Sequence, residues 1–502
     1  MKKGKLATIN IFIGFFSQFI ILALGLIIPK IIINNYGSDT NGLTNTITQI
    51  FTYIALLEAG IGKATENALY PVLKNNDKND ISQVMSVSRR YYRKISLFYA
   101  IAVLAVASIL PFVLKTSVNY TTIFFYVFFE GLTSLVQFYF TGLWSIFLNA
   151  SGKTYFTNLV NLGSKILQYT VKIILALLGL NIMYVQIGYF AVSLFGLLIY
   201  SIYMHKNYSW IDYKCAPKDK KLPDRNAYVL NEIASAIFSG TDLIVLSIMV
   251  STSLSSVYSI YSMVFGAVTT LINSIYNSIN YLLGHSYARD IETYKKIHDA
   301  FNSIFLGVLV ACMSVCMWLT IPFVKLYTKG VTDINYIYEW LPFCFAVVQI
   351  LSWSRYIGGN LTGIAGYAKP VSFISLAEAI INIVGTVVLT YFFGIYGAII
   401  ATIVAIPIKV IYVNYLAEKK ILKRSPLKTI MIFIVNYSLF AITVVISSFI
   451  KIEINSYTWF VAWGLVLTIG YLIVCLGMNL LVNKDLLIIF KTIKNRKLNK
   501  SK

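Results

Sequence analysis

The sequence is poor in charged residues, which make up 12% of its 502 positions, whereas hydrophobic residues make up 58%. A soluble domain carries about twice that charged fraction, so the composition excludes an ordinary soluble domain and predicts a chain whose main solvent is lipid. Acidic residues are especially scarce, because 20 Asp and Glu stand against 42 Lys and Arg and leave a net charge of +22. This excess of basic residues needs an explanation from topology or from function.

Histidine and cysteine are also rare, with three and five copies. Four of the cysteines fall inside predicted spans and lack the pattern of a metal site, so we predict neither a disulfide framework nor a bound metal. The histidines lie at predicted cytoplasmic edges, and no glycine-rich phosphate loop is present. We therefore predict a non-enzyme without a cofactor. The alternative from another class, a membrane glycosyltransferase or polymerase, would need catalytic groups presented together at one membrane face.

Long hydrophobic runs fill the chain, and they predict about 14 transmembrane helices. The first run follows Met1-Lys2-Lys3-Gly4-Lys5 and is too long for a signal peptide. Lys and Arg concentrate in the loops on the side of both termini, whereas the other side holds only Lys115, Lys329 and Lys451. The positive-inside rule then places both termini in the cytoplasm, in a multi-pass protein of the cell membrane. The net charge is mostly an orientation signal, so we expect anionic membrane lipids as partners and no nucleic acid.

A weak internal repeat divides the chain, because a small-residue turn at 149–153 resembles one at 363–370 and each precedes an apolar helix and a tight turn. We predict an all-α integral membrane protein with two six-helix bundles and a peripheral helix pair. The predicted parts are an N-terminal bundle (1–204), a cytoplasmic linker (205–227), a C-terminal bundle (228–413), peripheral helices 13 and 14 (414–481) and a basic cytoplasmic tail (482–502). Parallel repeats of this kind place a substrate site between the halves.

Five polar residues form a stripe in the predicted fifth span: Asn158, Asn161, Lys165, Gln168 and Lys172. Their spacings of three, four and seven put them on one helical face. A lysine at mid-membrane costs about 2.5–3.5 kcal/mol, so two on one face need a water-filled cavity or an acidic partner. We interpret the stripe as the lining of a cationic transport pathway. A structural salt bridge to an acid in another span is the alternative.

Other polar residues inside the spans extend this hypothesis. We expect three to line the lumen with the stripe: Asn273, Asn277 and Arg355. We expect five acids to pair with cations or to couple transport to an ion: Glu58, Glu130, Glu232, Asp242 and Glu378. Lys409 lies near the end of its span and is expected to extend toward the membrane edge.

Several segments resemble the multidrug/oligosaccharidyl-lipid/polysaccharide exporter (MOP) superfamily, in its polysaccharide (Wzx-type) flippase branch. They are Ile28-Pro29-Lys30 to Tyr36-Gly37, then Asn41-Gly42-Leu43, the run Leu56-Leu57-Glu58-Ala59-Gly60-Ile61-Gly62 and the turn Gly152-Lys153. Ala59 stands where the family more often has leucine. The similarity covers nearly the whole chain and includes the arrangement of six, six and two spans.

This resemblance implies two bundles in a V-shaped arrangement and a mechanism of alternating access. It implies that the substrate is a polyprenyl-diphosphate-linked oligosaccharide, turned to the outer leaflet for capsule or exopolysaccharide synthesis, with the polysaccharide polymerase machinery as a further partner. Lumen cations such as Lys165 and Lys172 would then meet anionic substrate groups. Two alternatives of the same superfamily stay open: a flippase for lipid II, the peptidoglycan precursor, and a cation-coupled drug extruder.

Overall fold

A computed structural model describes residues 3–75, 77–215, 240–287, 290–450 and 452–486, and all regular structure in these ranges is helical. The helices of the first half are α1 (Lys3–Asn75), α2 (Lys78–Val113), α3 (Tyr120–Val136), α4 (Leu143–Ala150), α5 (Thr154–Leu177), α6 (Ile182–Tyr208) and α7 (Gly240–Met249). Those of the second half are α8 (Thr252–Tyr287), α9 (Ile291–Tyr327), α10 (Leu341–Trp353), α11 (Tyr356–Ile364), α12 (Ala368–Tyr415), α13 (Leu427–Phe449) and α14 (Tyr457–Val482). Short π-helical segments follow α3 (Gln137–Gly142) and α12 (Leu416–Ile421).

Nine helices within the described ranges are long and apolar enough to cross a membrane. Two of the longest are not straight: Gly37 in α1 has φ 82° and Gly394 in α12 has φ 56°. A straight helix of the 73 residues of α1 would be ~110 Å long, more than three times the hydrocarbon thickness of a bilayer. The left-handed backbone that glycine permits at both positions breaks each helix into two limbs. The all-helical membrane fold is therefore confirmed, while the number of 14 spans stays a prediction.

The chain divides into two compact units, Met1–Ser256 and Val257–Lys502. In the first unit α5 packs against α1 and α6, and α3 packs against α2 and α6. The helix α7 lies in the first unit, and the bounds of the two predicted bundles stay a prediction. Large apolar side chains of α1 to α4 and α6 form the core, among them Leu43, Ile47, Phe51, Met85, Tyr99, Tyr126, Phe147 and Val185.

Within this unit the second limb of α1 approaches the turn between α7 and α8 very closely. Asn41 Nδ2 donates to Ser256 Oγ at 2.7 Å, and the hydroxyls of Thr46 and Ser247 are 2.5 Å apart. A Cβ atom on Gly42 would overlap the carbonyl oxygen of Thr252. Glycine at position 42 is thus required by the contact and not by its backbone angles.

In the second unit α9 packs against α10, α13 and α14. The last two helices are joined by a reciprocal amide pair, because Asn436 and Asn479 each donate to the other at 3.0 Å. Only 11% of the most apolar stretch of α14 is buried. The predicted peripheral helices thus pack on one side against α9 and leave much of their apolar surface uncovered.

Candidate functional site

The polar stripe lies on α5, whose ends are set by glycines. Gly152 at φ 76° closes the turn before α5, and Gly179 at φ 71° follows its last turn. The Lys153 N–H donates to the Leu148 carbonyl at 2.8 Å, which completes the hydrogen bonding at the end of α4. Left-handed glycines are the common way to end a helix. These turns fix the rotation of α5 and direct its stripe toward α1 and α6.

Lys165 contacts two tyrosines. Its Nζ donates to Tyr189 Oη at 2.8 Å and lies 5.5 Å from the centre of that ring and 5.7 Å from the centre of Tyr169. The distance to Tyr169 is that of a cation–π contact, in which the negative face of the ring partly replaces the hydration of the ammonium group, whereas the contact with Tyr189 is a hydrogen bond to its hydroxyl.

Lys172 lies two helical turns further along α5 and contacts Tyr126 and Tyr189. Its Nζ donates to Tyr126 Oη at 3.3 Å and lies 5.3 Å from the centre of Tyr189. Glu130, one turn after Tyr126, accepts a hydrogen bond of 2.6 Å from Gln186 Nε2. Among the described residues, neither stripe lysine forms a salt bridge. The predicted alternative, a structural salt bridge on α5, is therefore not seen with Glu130.

A cavity of about 460 Å³ lies beside Lys165 in the first unit. Three stripe residues line it, Asn161, Lys165 and Gln168, together with Ser164, Ser193 and Tyr200. The π-helical segment contributes Gln137, Phe138, Thr141 and Gly142. Single-turn π-helical segments often occur at functional sites, because the extra residue re-aims the side chains around it.

Two buried polar atoms at this cavity lack a hydrogen-bond partner in the described part of the chain, the Oε1 of Gln168 and the Oγ of Ser164. The Gln168 side chain is 1% exposed. An unpaired buried amide or hydroxyl costs about 1–3 kcal/mol, so such groups are usually satisfied by water or by a ligand. The cavity therefore offers one ammonium group and several neutral polar groups to a polar or anionic occupant.

Two other predicted lumen residues, Asn273 and Arg355, belong to the second unit. Asn273 is exposed on α8. Arg355 lies between α10 and α11 and donates from Nη1 to Glu378 Oε1 at 2.5 Å. Lys409 Nζ lies 3.7 Å from the other oxygen of Glu378, so the prediction that Lys409 extends toward the membrane edge is wrong. The reason is the kink of α12, which folds Lys409 back against an acid on its first limb.

The remaining predicted acids are in different situations. Asp242 is buried on α7 at 8% exposure. Glu232 lies outside the described residues, and so do the side chains of Glu58 and Asn277.

The tyrosines that contact the two lysines were not among the residues predicted from the sequence. Tyr126 is on α3 and Tyr189 is on α6, at 1% and 7% exposure. Among 36 tyrosines, most were expected to pack or to lie at the membrane interface. A tyrosine near the middle of another span, together with the lysine stripe of α5, is a sequence signal that could have indicated Tyr126 and Tyr189.

Comparison with known proteins supports the fold and no more. No protein-family model and no curated protein sequence matches the chain. The lipid II flippase MurJ in an inward closed conformation superposes with a TM-score of 0.67 and 13% identity, covering 94% of this chain and 99% of MurJ. An inward-facing multidrug resistance MATE family transporter of the MOP superfamily superposes with a TM-score of 0.64 and 13% identity, covering 83% and 99%. A MATE transporter in its bent conformation gives 0.56 and 13%, covering 89% and 99%.

The resemblance to the MOP superfamily is thereby confirmed at the level of the fold, while its Wzx-type branch stays a prediction. The similar structures are transporters and a flippase. Together with the nine apolar helices, they make this a multi-pass membrane protein with the fold of MOP-superfamily transporters.

Proposed function

We propose that the protein is a flippase that moves a polyprenyl-diphosphate-linked oligosaccharide from the inner to the outer leaflet of the cytoplasmic membrane for capsule or exopolysaccharide synthesis. The observation that carries this proposal is the pair Lys165 and Lys172, which contact phenol rings and form no salt bridge among the described residues. An ammonium group that forms no salt bridge among apolar helices favours the binding of an anion.

The cavity is of the size that small ligands occupy, since ligand sites span about 300–1,000 Å³. Its unpaired amide and hydroxyl atoms suit sugar hydroxyls, and the Lys165 ammonium suits a phosphate oxygen. Outward movement of an anion from a negative interior is favourable by about 2.3 kcal/mol per charge per 100 mV. Membrane voltage would therefore favour export without ATP. Both termini in the cytoplasm and contact with anionic lipids and polymerase machinery belong to the same proposal.

A lipid II flippase is the second candidate, favoured by the likeness of the fold to MurJ over 94% of this chain. It would use the same lysines, because its substrate is also a polyprenyl diphosphate with sugars. A cation-coupled drug extruder fits the site less well, since Lys165 and Lys172, which form no salt bridge within the described ranges, repel a cationic drug.

The test is rescue of surface polysaccharide in a strain that lacks its capsule flippase. We expect wild type to rescue, the double variant Lys165→Gln with Lys172→Gln to fail, and Lys329→Gln, exposed in the turn after α9, to rescue fully. Membrane insertion and melting temperature are measured for each variant. Full rescue by the double variant would refute the role of the lysines.

A parallel strain depleted of MurJ separates the two candidates. Rescue of its growth, without rescue of polysaccharide in several hosts, would favour the lipid II flippase. Failure in both strains, with transport of a cationic dye by the purified protein in vesicles, would refute both and favour the extruder.

A further inference from the structure

A second buried cluster of charges lies in the C-terminal unit and shares no residue with the cavity beside α5. It consists of Arg355, Glu378 and Lys409, with side-chain exposures of 15%, 2% and 17%. One Glu378 oxygen accepts from Arg355 at 2.5 Å, and the other is 3.7 Å from Lys409 Nζ. The carboxylate is thus shared between two cations, tightly with one and loosely with the other, since a charge-assisted bond is usually about 2.7–2.9 Å long.

Local structure positions each member. Arg355 lies in the turn between α10 and α11, and Ser354 beside it is held by Tyr437 Oη at 2.8 Å and by Asn414 Nδ2 at 3.1 Å. The Ser354 N–H donates to the Ile350 carbonyl at 3.1 Å and the Gly359 N–H to the Arg355 carbonyl at 2.8 Å, so this turn keeps a right-handed helical backbone. The turn therefore fixes where the Arg355 side chain starts.

The two other members lie on the opposite limbs of α12. Gly394 at φ 56° folds the limbs together, and a hydrogen bond of 2.8 Å from Asn382 Nδ2 to Thr402 Oγ1 joins them. Glu378 is one turn before Asn382, and Lys409 is two turns after Thr402. The hydrogen bond between Asn382 and Thr402 holds the two limbs together and thereby keeps Lys409 Nζ beside the carboxylate, while both cations keep part of their surface exposed.

We propose that Arg355 and Lys409 form a second oxyanion site, for the phosphate groups of the lipid-linked substrate, and that Glu378 occupies the place of the phosphate while the site is empty. The chemical identity of the occupant rests on the proposed function. A phosphate offers the paired oxygens that a guanidinium binds in bidentate fashion, and its further oxygen can shorten the loose contact to Lys409. Binding then exchanges one anion for another, so the two cations are never left without a counter-ion.

The experiment measures binding of inorganic pyrophosphate to the purified full-length protein by its shift of the melting temperature. All variants carry Lys165→Gln and Lys172→Gln, so that the α5 lysines do not contribute. We expect Glu378→Gln to bind pyrophosphate at least tenfold more tightly than its parent, because the competing carboxylate is gone. Arg355→Gln and Lys409→Gln should each bind at least tenfold more weakly. Glu453→Gln, an exposed acid, serves as the matched control and should change nothing.

A folded Glu378→Gln protein that binds pyrophosphate no more tightly than its parent would overturn the proposal and make the cluster a structural ion pair. If that variant does not fold, Lys409→Gln decides, since it keeps the neutral pair of Arg355 and Glu378. Undiminished affinity in Lys409→Gln would overturn the proposal as well. Because the parent lacks the α5 lysines, these results do not depend on the rescue assay for the proposed function.

Competition identifies the source of the phosphate. Displacement of pyrophosphate by geranylgeranyl diphosphate, and not by phosphatidylglycerol, supports the lipid-linked substrate as occupant. Equal displacement by both supports an oxyanion site that phospholipid headgroups also fill. Displacement by neither, in a protein that binds pyrophosphate through Arg355, would overturn the assignment to a lipid phosphate.

Discussion

Replacing Arg424 with glutamine should destabilise the C-terminal unit by about 3 kcal/mol, because it leaves two buried carboxylates without their main cation. Arg424 donates from Nε to Glu418 at 2.6 Å and from Nη1 to Asp299 at 2.9 Å, and its Nη2 bonds to both acids. The side chains of Asp299 and Glu418 are only 2% and 1% exposed. Together with the neighbouring His298 they form a group that could hold a metal ion by geometry alone, but Arg424 already supplies the positive charge.

The magnitude follows from what remains after the change. Breaking a buried ion pair by removing one partner costs about 3–5 kcal/mol. Here Asp299 keeps Lys428 at 3.1 Å and Glu418 keeps the Thr429 hydroxyl at 2.7 Å, so the low end applies. Burial disfavours the charge of Arg424, but its hydrogen bonds to Glu418 and Asp299 outweigh this and raise its pKa above the ordinary range. The guanidinium therefore stays charged at any practical pH, and the effect does not depend on its titration.

The assay is thermal unfolding in detergent, followed by a thiol-reactive dye that labels the buried Cys316, Cys344 and Cys475 as they become exposed. A loss of about 3 kcal/mol corresponds to roughly 6–12 °C for a unit of this size. Lys428→Gln is the comparison variant, since Lys428 is 42% exposed and Asp299 keeps Arg424 when Lys428 is replaced, so that we expect a loss of about 1 kcal/mol or less. A melting temperature of Arg424→Gln within about 1 °C of wild type, or equal to that of Lys428→Gln, would refute the reasoning.

Three further predictions address other parts of the molecule. Tyr189→Phe keeps the ring near the lysine ammonium groups and should retain most transport in the rescue assay, whereas Tyr189→Leu should lose it. Equal loss of transport in both variants would assign the effect to the hydroxyl that accepts from Lys165. Gly42→Ala places a methyl group against the Thr252 carbonyl and should lower stability by about 1–3 kcal/mol in chemical denaturation. An unchanged midpoint of unfolding would contradict this expectation. Asp290 caps α9, and hydrogen bonds from the Thr293 side chain and from the backbone of Thr293 and Glu292 lower its pKa. Its contribution to stability is therefore complete above the ordinary pKa and is lost as the pH falls through the pKa of the folded state. The difference in melting temperature between wild type and Asp290→Ala should shrink on acidification, and a constant difference would show that the charge is irrelevant.

The α5 stripe shows what the spacing of polar residues in the sequence can predict. Asn161, Lys165 and Gln168 share a helical face by spacing alone, and the structure places all three on one cavity. Helix hydrogen bonds join residues four apart, so the rotation of side chains around one helix is local information. Lys172 has the same spacing but meets Tyr126 and Tyr189 beyond the cavity lining, because the neighbouring helices end the open space before it.

Contacts between charged side chains on different helices could not be predicted from the spacing of residues in the sequence. Lys409 was expected at the membrane edge from its position near the end of a span, and its contact with Glu378 exists only because Gly394 folds α12 into two limbs. Arg424 follows an apolar helix in the sequence, and nothing local indicates that it binds Asp299, which lies far earlier in the chain. In each case the partner is set by packing of distant segments.

Composition and hydropathy by themselves determined that this is an all-helical membrane protein, because a chain this poor in charge can satisfy its backbone only within helices when lipid surrounds it. The periodic placement of polar residues determined which helix face would meet a polar space. Only the tertiary structure decided what each charge meets there: tyrosine rings for Lys165 and Lys172, and a shared carboxylate for Arg355 and Lys409. The physical reason is that the helical repeat acts over a few residues, whereas the counter-ion of a buried charge is chosen by the packing of helices that are remote in the chain.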